Sequence, residues 1–391
     1  MADQFHVTSY IATPLKKHLL ERLRCSAPIP FEQYMEICLY HAEHGYYAQG
    51  RERTGARGDY FTGADLHPVF ARLISRQAEE IWRLLGRPPQ FTWVEMGAGR
   101  GVFAGDFLSW SRSAYPEFFS ALDYRVVEPA EPVRRRALER IQSAGVPLPV
   151  RAAASLEEIE PVTGVFFSNE LADALPVAVV TRSGGRLKEV YVTAESGELS
   201  ERLGPIREAS TAAAVARYAN RIEEGQRVEI SLAAGRWIQS IAEKLRAGFV
   251  ITIDYGDWAE RLITPERRRG TLLSYFRNRT TENFFVAPGE QDLTAHVNFS
   301  LLRDAGAAAG LEFTGFTMQE RFLTALGEAN RFFDLYDPGQ SQIEKLNARL
   351  KLKRLIHPEG MGGIFKVLIQ HRGICAPKLA GLGMGETARQ R

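Results

Sequence analysis

The chain has 391 residues, 45% of them hydrophobic and 25% charged, with 34 glycines and a formal net charge of +2. That length exceeds what one hydrophobic core usually spans and predicts a large α/β domain with a second, smaller lobe, and the composition excludes a disordered or fibrous chain. The near-neutral balance argues against a protein built to coat nucleic acid or an anionic membrane and leaves only a local basic patch open, while Cys25, Cys38 and Cys375 are too few and too scattered for a disulfide framework or a cysteine metal site.

No apolar run approaches the roughly 18 residues of a spanning helix. The first residues also lack the basic-then-apolar pattern of a secretory signal. Tyr10 to Arg24 is amphipathic and reads as an ordinary N-terminal helix. Phe31 to Tyr47 reads as a helix stopped by Gly45, followed by an aromatic-rich loop through Gly58-Asp59-Tyr60-Phe61-Thr62. Val69 to Leu85 carries apolar residues at helical spacing. Residues 1–90 are therefore expected to form an N-terminal segment of helices and loop.

Alternation begins at Phe91, where FTWVEM reads as a strand, a glycine turn follows, and Val102 to Trp110 reads as a helix. Strands at Tyr124–Val127, Leu148–Arg151 and Val165–Ser168, with a helix at Val133–Ser143, complete a half domain over 91–176. This β/α order predicts a mostly parallel sheet whose ligands sit beyond the carboxyl ends of its strands. Over 177–232 the pattern changes to a hairpin around Ser183-Gly184-Gly185 and a polar helix from Ala209 to Glu224, an inserted lobe. The sheet resumes over 233–372 with a helix at Ala233–Arg246, a strand at Phe249–Ile253, a helix at Phe299–Ala309, and strands at Leu311–Phe316 and Ile364–Gln370. Between them, Trp258 to Thr294 has little periodicity and is expected to cover a site. The Gly/Ala-rich stretch 373–391 is expected to be a mobile tail.

The chemistry concentrates after the first strand. Glycines at 97, 99 and 101, with Ala98 and Arg100 between them, let backbone approach a ligand, and the helix that follows offers unpaired N–H groups. Position 102 is Val, so the dinucleotide spacing G-x-G-x-x-G is absent and pyrophosphate binding is disfavoured. Glu95 ends the strand just before the turn. Glu128 ends the next strand, where a carboxylate accepts hydrogen bonds from both ribose hydroxyls, somewhat further along than the roughly 20 residues usual in dinucleotide folds.

These residues, with six other segments, resemble the MidA-type family of S-adenosylmethionine-dependent methyltransferases, which includes the mitochondrial complex I assembly factor that is a protein arginine methyltransferase. The likeness rests on PIPFEQYMEICLYHAEHGYY (28–47), GDYFT (58–62), VEMGAGRG (94–101), SNELADALPV (168–177), IDYG (253–256), GEQDLTAHVNF (289–299) and MGGIFKVL (361–368). It implies a seven-stranded, Rossmann-like class I methyltransferase sheet, S-adenosyl-L-methionine as cofactor with S-adenosyl-L-homocysteine as product, and a protein substrate carrying the acceptor arginine. One departure stands at Gly63-Ala64-Asp65-Leu66-His67, where the family continues differently, so the loop that carries Phe61 and Thr62 over the cofactor differs. A cytoplasmic location in a bacterium, or the mitochondrial matrix in a eukaryote, is the corresponding expectation, and a homodimer stays open.

Methyl transfer from a sulfonium is an in-line displacement, so the protein's tasks are positioning and exclusion of water, with no metal required. An arginine acceptor stays cationic and needs carboxylates to hold it. Glu170, at the tip of the strand that ends in Asn169, is the expected guanidinium-orienting group, with the Asn169 amide facing cofactor or acceptor. Asp173 lies one helical turn on and either joins it or caps a helix. His296 is either a proton acceptor for a less basic substrate or structural. Arg100 either meets the cofactor's carboxylate or forms a surface ion pair. The runs at Arg134–Arg136 and Arg267–Arg269 read as solvated faces rather than nucleic-acid contacts. A methyltransferase acting on a small molecule or RNA, and a non-catalytic assembly factor that keeps the cofactor site, are the alternatives.

Overall fold

FTWVEM is mostly apolar and does not alternate, a pattern suited to a strand covered on both faces, and all six residues of Phe91–Met96 are buried, Thr92 and Glu95 included. The computed structural model describes residues 11–50, 66–276, 279–337, 339–357 and 361–383. The chain divides into two compact units: Met1–Arg53, Ala172–Trp237 and Gly256–Leu302 make one; Thr54–Leu171, Ile238–Tyr255 and Arg303–Arg391 make the other.

The second unit is a mixed α/β fold. The main path of its sheet is built from β1 (Phe91–Met96), β2 (Leu122–Val127), β3 (Arg151–Ala153), β4 (Val162–Asn169), β5 (Leu245–Asp257), β6 (Glu312–Met318) and β7 (Phe365–Arg372), in the order β6-β7-β5-β4-β1-β2-β3, and an eighth short strand, Val297–Asn298, pairs parallel with Gly256–Asp257. The strands from β3 to β5 run parallel, and β7 is antiparallel to both of its neighbours. Helices Val69–Leu84 and Val102–Ala114 bury an aromatic layer against it, in which Trp93 lies 4.7 Å from Phe107 and Phe103 lies 4.7 Å from Phe167. The chain leaves β1 toward β2 and β3, then returns across β1 to β4. That reversal opens a crevice outside the carboxyl ends of β1 and β4.

In the first unit Arg186–Glu195 pairs antiparallel with Ala178–Ser183, Glu198–Gly204 and the short strand Ile29–Pro30. Thr13 caps helix Pro14–Arg24 by accepting from the Lys16 backbone N–H. The next helix, Phe31–Tyr40, buries Phe31, Tyr34, Met35 and Leu39 in a core shared with Phe284, Phe285 and Leu293.

Several elements differ from the sequence expectation. The strand expected at Leu148–Arg151 is Arg151–Ala153, because Pro149 has no N–H to give a ladder. The helix expected over 209–224 stops at Ala216, and a short 3-10 turn, Ala219–Arg221, follows; the Arg182 guanidinium collects the carbonyls of Ala219 and Ile222 there. Residues 258–294 hold a helix, Ala259–Leu262, and three paired strands, Leu273–Phe276, Arg279–Thr281 and Asp292–Thr294. Two helices, Gln319–Glu328 and Gln342–Ile356, precede β7. After Gly373 the chain is docked through residue 383: Leu379 and Leu382 are buried, and the Gly381 N–H donates to Gln77 Oε1 at 3.0 Å.

Candidate cofactor and acceptor sites

The turn after β1 is three left-handed glycines, Gly97 at φ 70, Gly99 at φ 50 and Gly101 at φ 69, backbone that residues with a Cβ adopt only under strain. Gly97 and Gly99 are exposed while Gly101 is buried. The Gly97 N–H donates to the Val127 carbonyl at 2.9 Å, tying the turn to the end of β2. A Cβ at Gly97 would meet Leu171 Cδ1 at 2.8 Å, one at Gly101 would meet the Ala137 carbonyl oxygen at 2.7 Å, and one at Gly99 would meet nothing within 4 Å among the described residues. Gly101 is also the N-cap of helix Val102–Ala114, which has no side-chain cap. Its first N–H groups are therefore available to a ligand. Ala98 is buried and Arg100 half-buried in the same turn.

Glu95 is buried beneath this turn and accepts from the Tyr124 hydroxyl at 2.6 Å. Burial pushes its carboxyl up to about 7, the Tyr124 hydroxyl opposing and the charge of Glu128 adding. Glu128 is half-buried beyond β2, its N–H donating to the Ala153 carbonyl and its Oε1 accepting from the Ala130 N–H at 3.1 Å. Burial raises this carboxyl to about 7 as well, against the Ala130 N–H and the Arg134 cation. An exposed glycine backbone beside a carboxylate at the end of the next strand is an arrangement that can accept a nucleoside, the carboxylate offering acceptors to ribose hydroxyls.

Asn169 ends β4, and its side-chain amide donates to Glu170 Oε1 at 3.1 Å. Glu170 itself has φ 53, a left-handed conformation rare for a residue with a side chain, and its N–H donates to the Ile253 carbonyl at 2.9 Å. Asp254, fully buried in the last third of β5, accepts the Leu171 N–H at 3.1 Å and the Tyr255 N–H at 2.9 Å. It thus fixes the turn that aims Glu170 and that seats Leu171 over Gly97. Leu171 went unnoticed in the sequence, where a lone leucine inside SNELADALPV carries no chemical signal.

The second unit therefore holds Glu95, Gly97, Ala98, Gly99, Arg100, Gly101, Glu128, Asn169 and Glu170. Asp173 and His296 belong to the first unit. Asp173 is buried in the 3-10 turn Ala172–Ala174, and its carbonyl accepts the Ala295 N–H at 3.0 Å. His296 is half-buried, its N–H donating to Thr271 Oγ1 at 3.1 Å. Nearby in that unit, Tyr40 stacks on Tyr47 at 5.7 Å and donates to the Ala174 carbonyl, and the Tyr47 hydroxyl donates to Asp292 Oδ1 at 2.8 Å. Phe61 and Thr62 lie outside the described residues. Of the segment that departs from the family pattern, Leu66 and His67 are described: His67 is buried, and its Nδ1 accepts the Val69 N–H at 3.0 Å at the start of a helix.

A profile for a family of S-adenosyl-L-methionine-dependent methyltransferases matches residues 73–317. The protein arginine methyltransferase NDUFAF7 of mouse mitochondria is 26% identical over 376 residues, covering 90% of this chain and 83% of the relative. Its human counterpart is 26% identical over 392 residues, covering 92% and 84%. A crystal structure from Burkholderia thailandensis, bound to S-adenosyl-homocysteine, is 30% identical with a TM-score of 0.86, covering 97% of this chain and 98% of that one.

Proposed function

We propose that this chain, which belongs to the S-adenosyl-L-methionine-dependent methyltransferase family, methylates an arginine side chain of a protein substrate. Its cofactor is S-adenosyl-L-methionine, which supplies an electrophilic methyl group when bound. In our reading the seven strands from β6 to β3 are the class I methyltransferase sheet. The exposed turn at Gly97 and Gly99 holds the cofactor and Glu128 takes its ribose. Glu170 holds the acceptor guanidinium by charge-assisted hydrogen bonds and presents one nitrogen. Support for the acceptor comes from relatives named protein arginine methyltransferases. The observation that carries the role of Glu170 is its left-handed backbone, locked by Ile253 and followed by the Asp254 clamp; strain held in place at a strand tip belongs to a positioned functional group.

The test is methyl transfer from radiolabelled S-adenosylmethionine into a lysate of the source organism, followed by hydrolysis of labelled protein. Methylarginine in the hydrolysate supports the proposal. Label confined to small molecules or RNA, or cofactor binding without transfer, rejects it. Glu170→Gln is expected to leave S-adenosyl-homocysteine affinity within about threefold while lowering turnover by about 100-fold or more. Turnover equal to wild type removes Glu170 from the mechanism.

A further inference from the structure

Helix Gln342–Ile356 begins with a capping box in which Ser341 and Glu344 satisfy each other's backbone groups. Its inner face buries Ala348, Leu352 and Leu355. At 3.6 residues per turn the opposite face carries Ile343, Leu346 and Leu350, and these are 73%, 56% and 55% exposed. Phe333, in the turn just before the helix, is 72% exposed. Lys351, Lys353 and Arg354 are exposed around this stripe, and among the described residues none of them forms an ion pair. Arg349 is also exposed and donates to the Tyr336 hydroxyl. The helix's one acid, Glu344, is used by its cap.

We infer that this face docks on an anionic lipid bilayer, lying in the headgroup region with the aliphatic stripe inserted. With its inner face packed on the protein, the outer side of this helix, aliphatic side chains beside cations, suits a surface that lies against lipid headgroups rather than crossing the bilayer. No helix among the described residues is long and apolar enough to cross one. The charge also selects among occupants. A second copy of the chain would bring two cationic faces together, and a single convex helix offers little of the roughly 1,000 Å² of complementary surface that a stable protein partner needs. A bilayer needs no matching shape.

Full-length protein is mixed with vesicles of phosphatidylcholine alone or with about one quarter phosphatidylserine, and bound protein is sedimented. Binding to the anionic vesicles is expected to be at least about tenfold stronger than to the neutral ones and to weaken as salt is raised. Leu346→Asp with Leu350→Asp, and separately Lys353→Ala with Arg354→Ala, are each expected to lower it about tenfold or more, with melting temperature and S-adenosyl-homocysteine affinity unchanged. No binding to anionic vesicles, or equal binding by folded double variants, overturns the proposal. So does a dimer that the Asp variants dissociate, which assigns the face to a second copy, and so does binding to polyglutamate without binding to vesicles, which assigns it to an acidic protein.

Discussion

A Cβ built on Gly99 meets no atom of the described residues within 4 Å, whereas one on Gly101 would stand 2.7 Å from the Ala137 carbonyl. The two glycines share a backbone conformation and differ in what they face. Gly99→Val should therefore cost only about 1–2 kcal/mol of backbone strain and weaken S-adenosyl-homocysteine binding at least about tenfold, because its side chain fills the open side of the turn. Gly101→Ala should lower stability by about 1–3 kcal/mol through overpacking against the helix that contains Ala137. Calorimetry and thermal melts on both variants separate the roles; wild-type affinity in the first rules out the turn as the cofactor's seat. Glu128 and Glu95 set a pH dependence. Each carboxyl is raised from about 4.5 to about 7, so each stabilises the fold fully below about 4.5, and that stabilisation is lost as pH rises through about 7. Ribose binding needs Glu128 ionised as an acceptor. Affinity for S-adenosyl-homocysteine should accordingly tighten between pH 6 and 8 while the ligand-free protein's melting temperature falls, and Glu128→Gln should flatten the affinity profile. A flat profile in the wild type contradicts ribose recognition by this carboxylate.

Among elements, those with a strong local signal were legible in the sequence. FTWVEM is a strand over its full length, and the glycine turn, the hairpin at Gly184-Gly185 and the helix from Val69 lie where periodicity and turn residues put them. Others were set by tertiary contacts that no local pattern encodes. The strand Glu198–Gly204 is polar and mostly exposed, and it exists because Arg186–Glu195 offers it an edge. Helix Gln342–Ile356 did carry a readable sign in Ser341-x-x-Glu344, but apolar residues on both of its faces blur the helical period. The segment after Gly373 looked like a mobile tail from its glycines and alanines. Yet Gly381 is there because Phe322 leaves no room for a Cβ, and Leu382 packs on Gly315. Truncation after Gly373 is thus predicted to lower the melting temperature by several degrees, and Leu382→Ala alone to cost about 2 kcal/mol or more. An unchanged melt in the truncated protein would show that these contacts contribute nothing.

At the scale of the whole molecule, the candidate residues at strand ends were more legible than those outside the sheet. Glu95, the glycine turn, Glu128 and Asn169-Glu170 sit at consecutive strand ends, so a β/α pattern alone brings them to one edge of one sheet. Asp173, His296, Tyr40 and Tyr47 belong to a unit assembled from three distant stretches of chain, and spacing along the sequence says nothing of that assembly. The same discontinuity constrains how the protein is made. Phe31, Tyr34 and Leu39 emerge from the ribosome long before Phe284, Phe285 and Leu293, with which they form one core. At about 5–20 residues per second the wait is on the order of tens of seconds. Val177, Val179, Val190, Val192 and Leu199 of the same core are made in between, so the nascent N-terminal helices cover their oily surface in two instalments, the second only once residue 293 has been added.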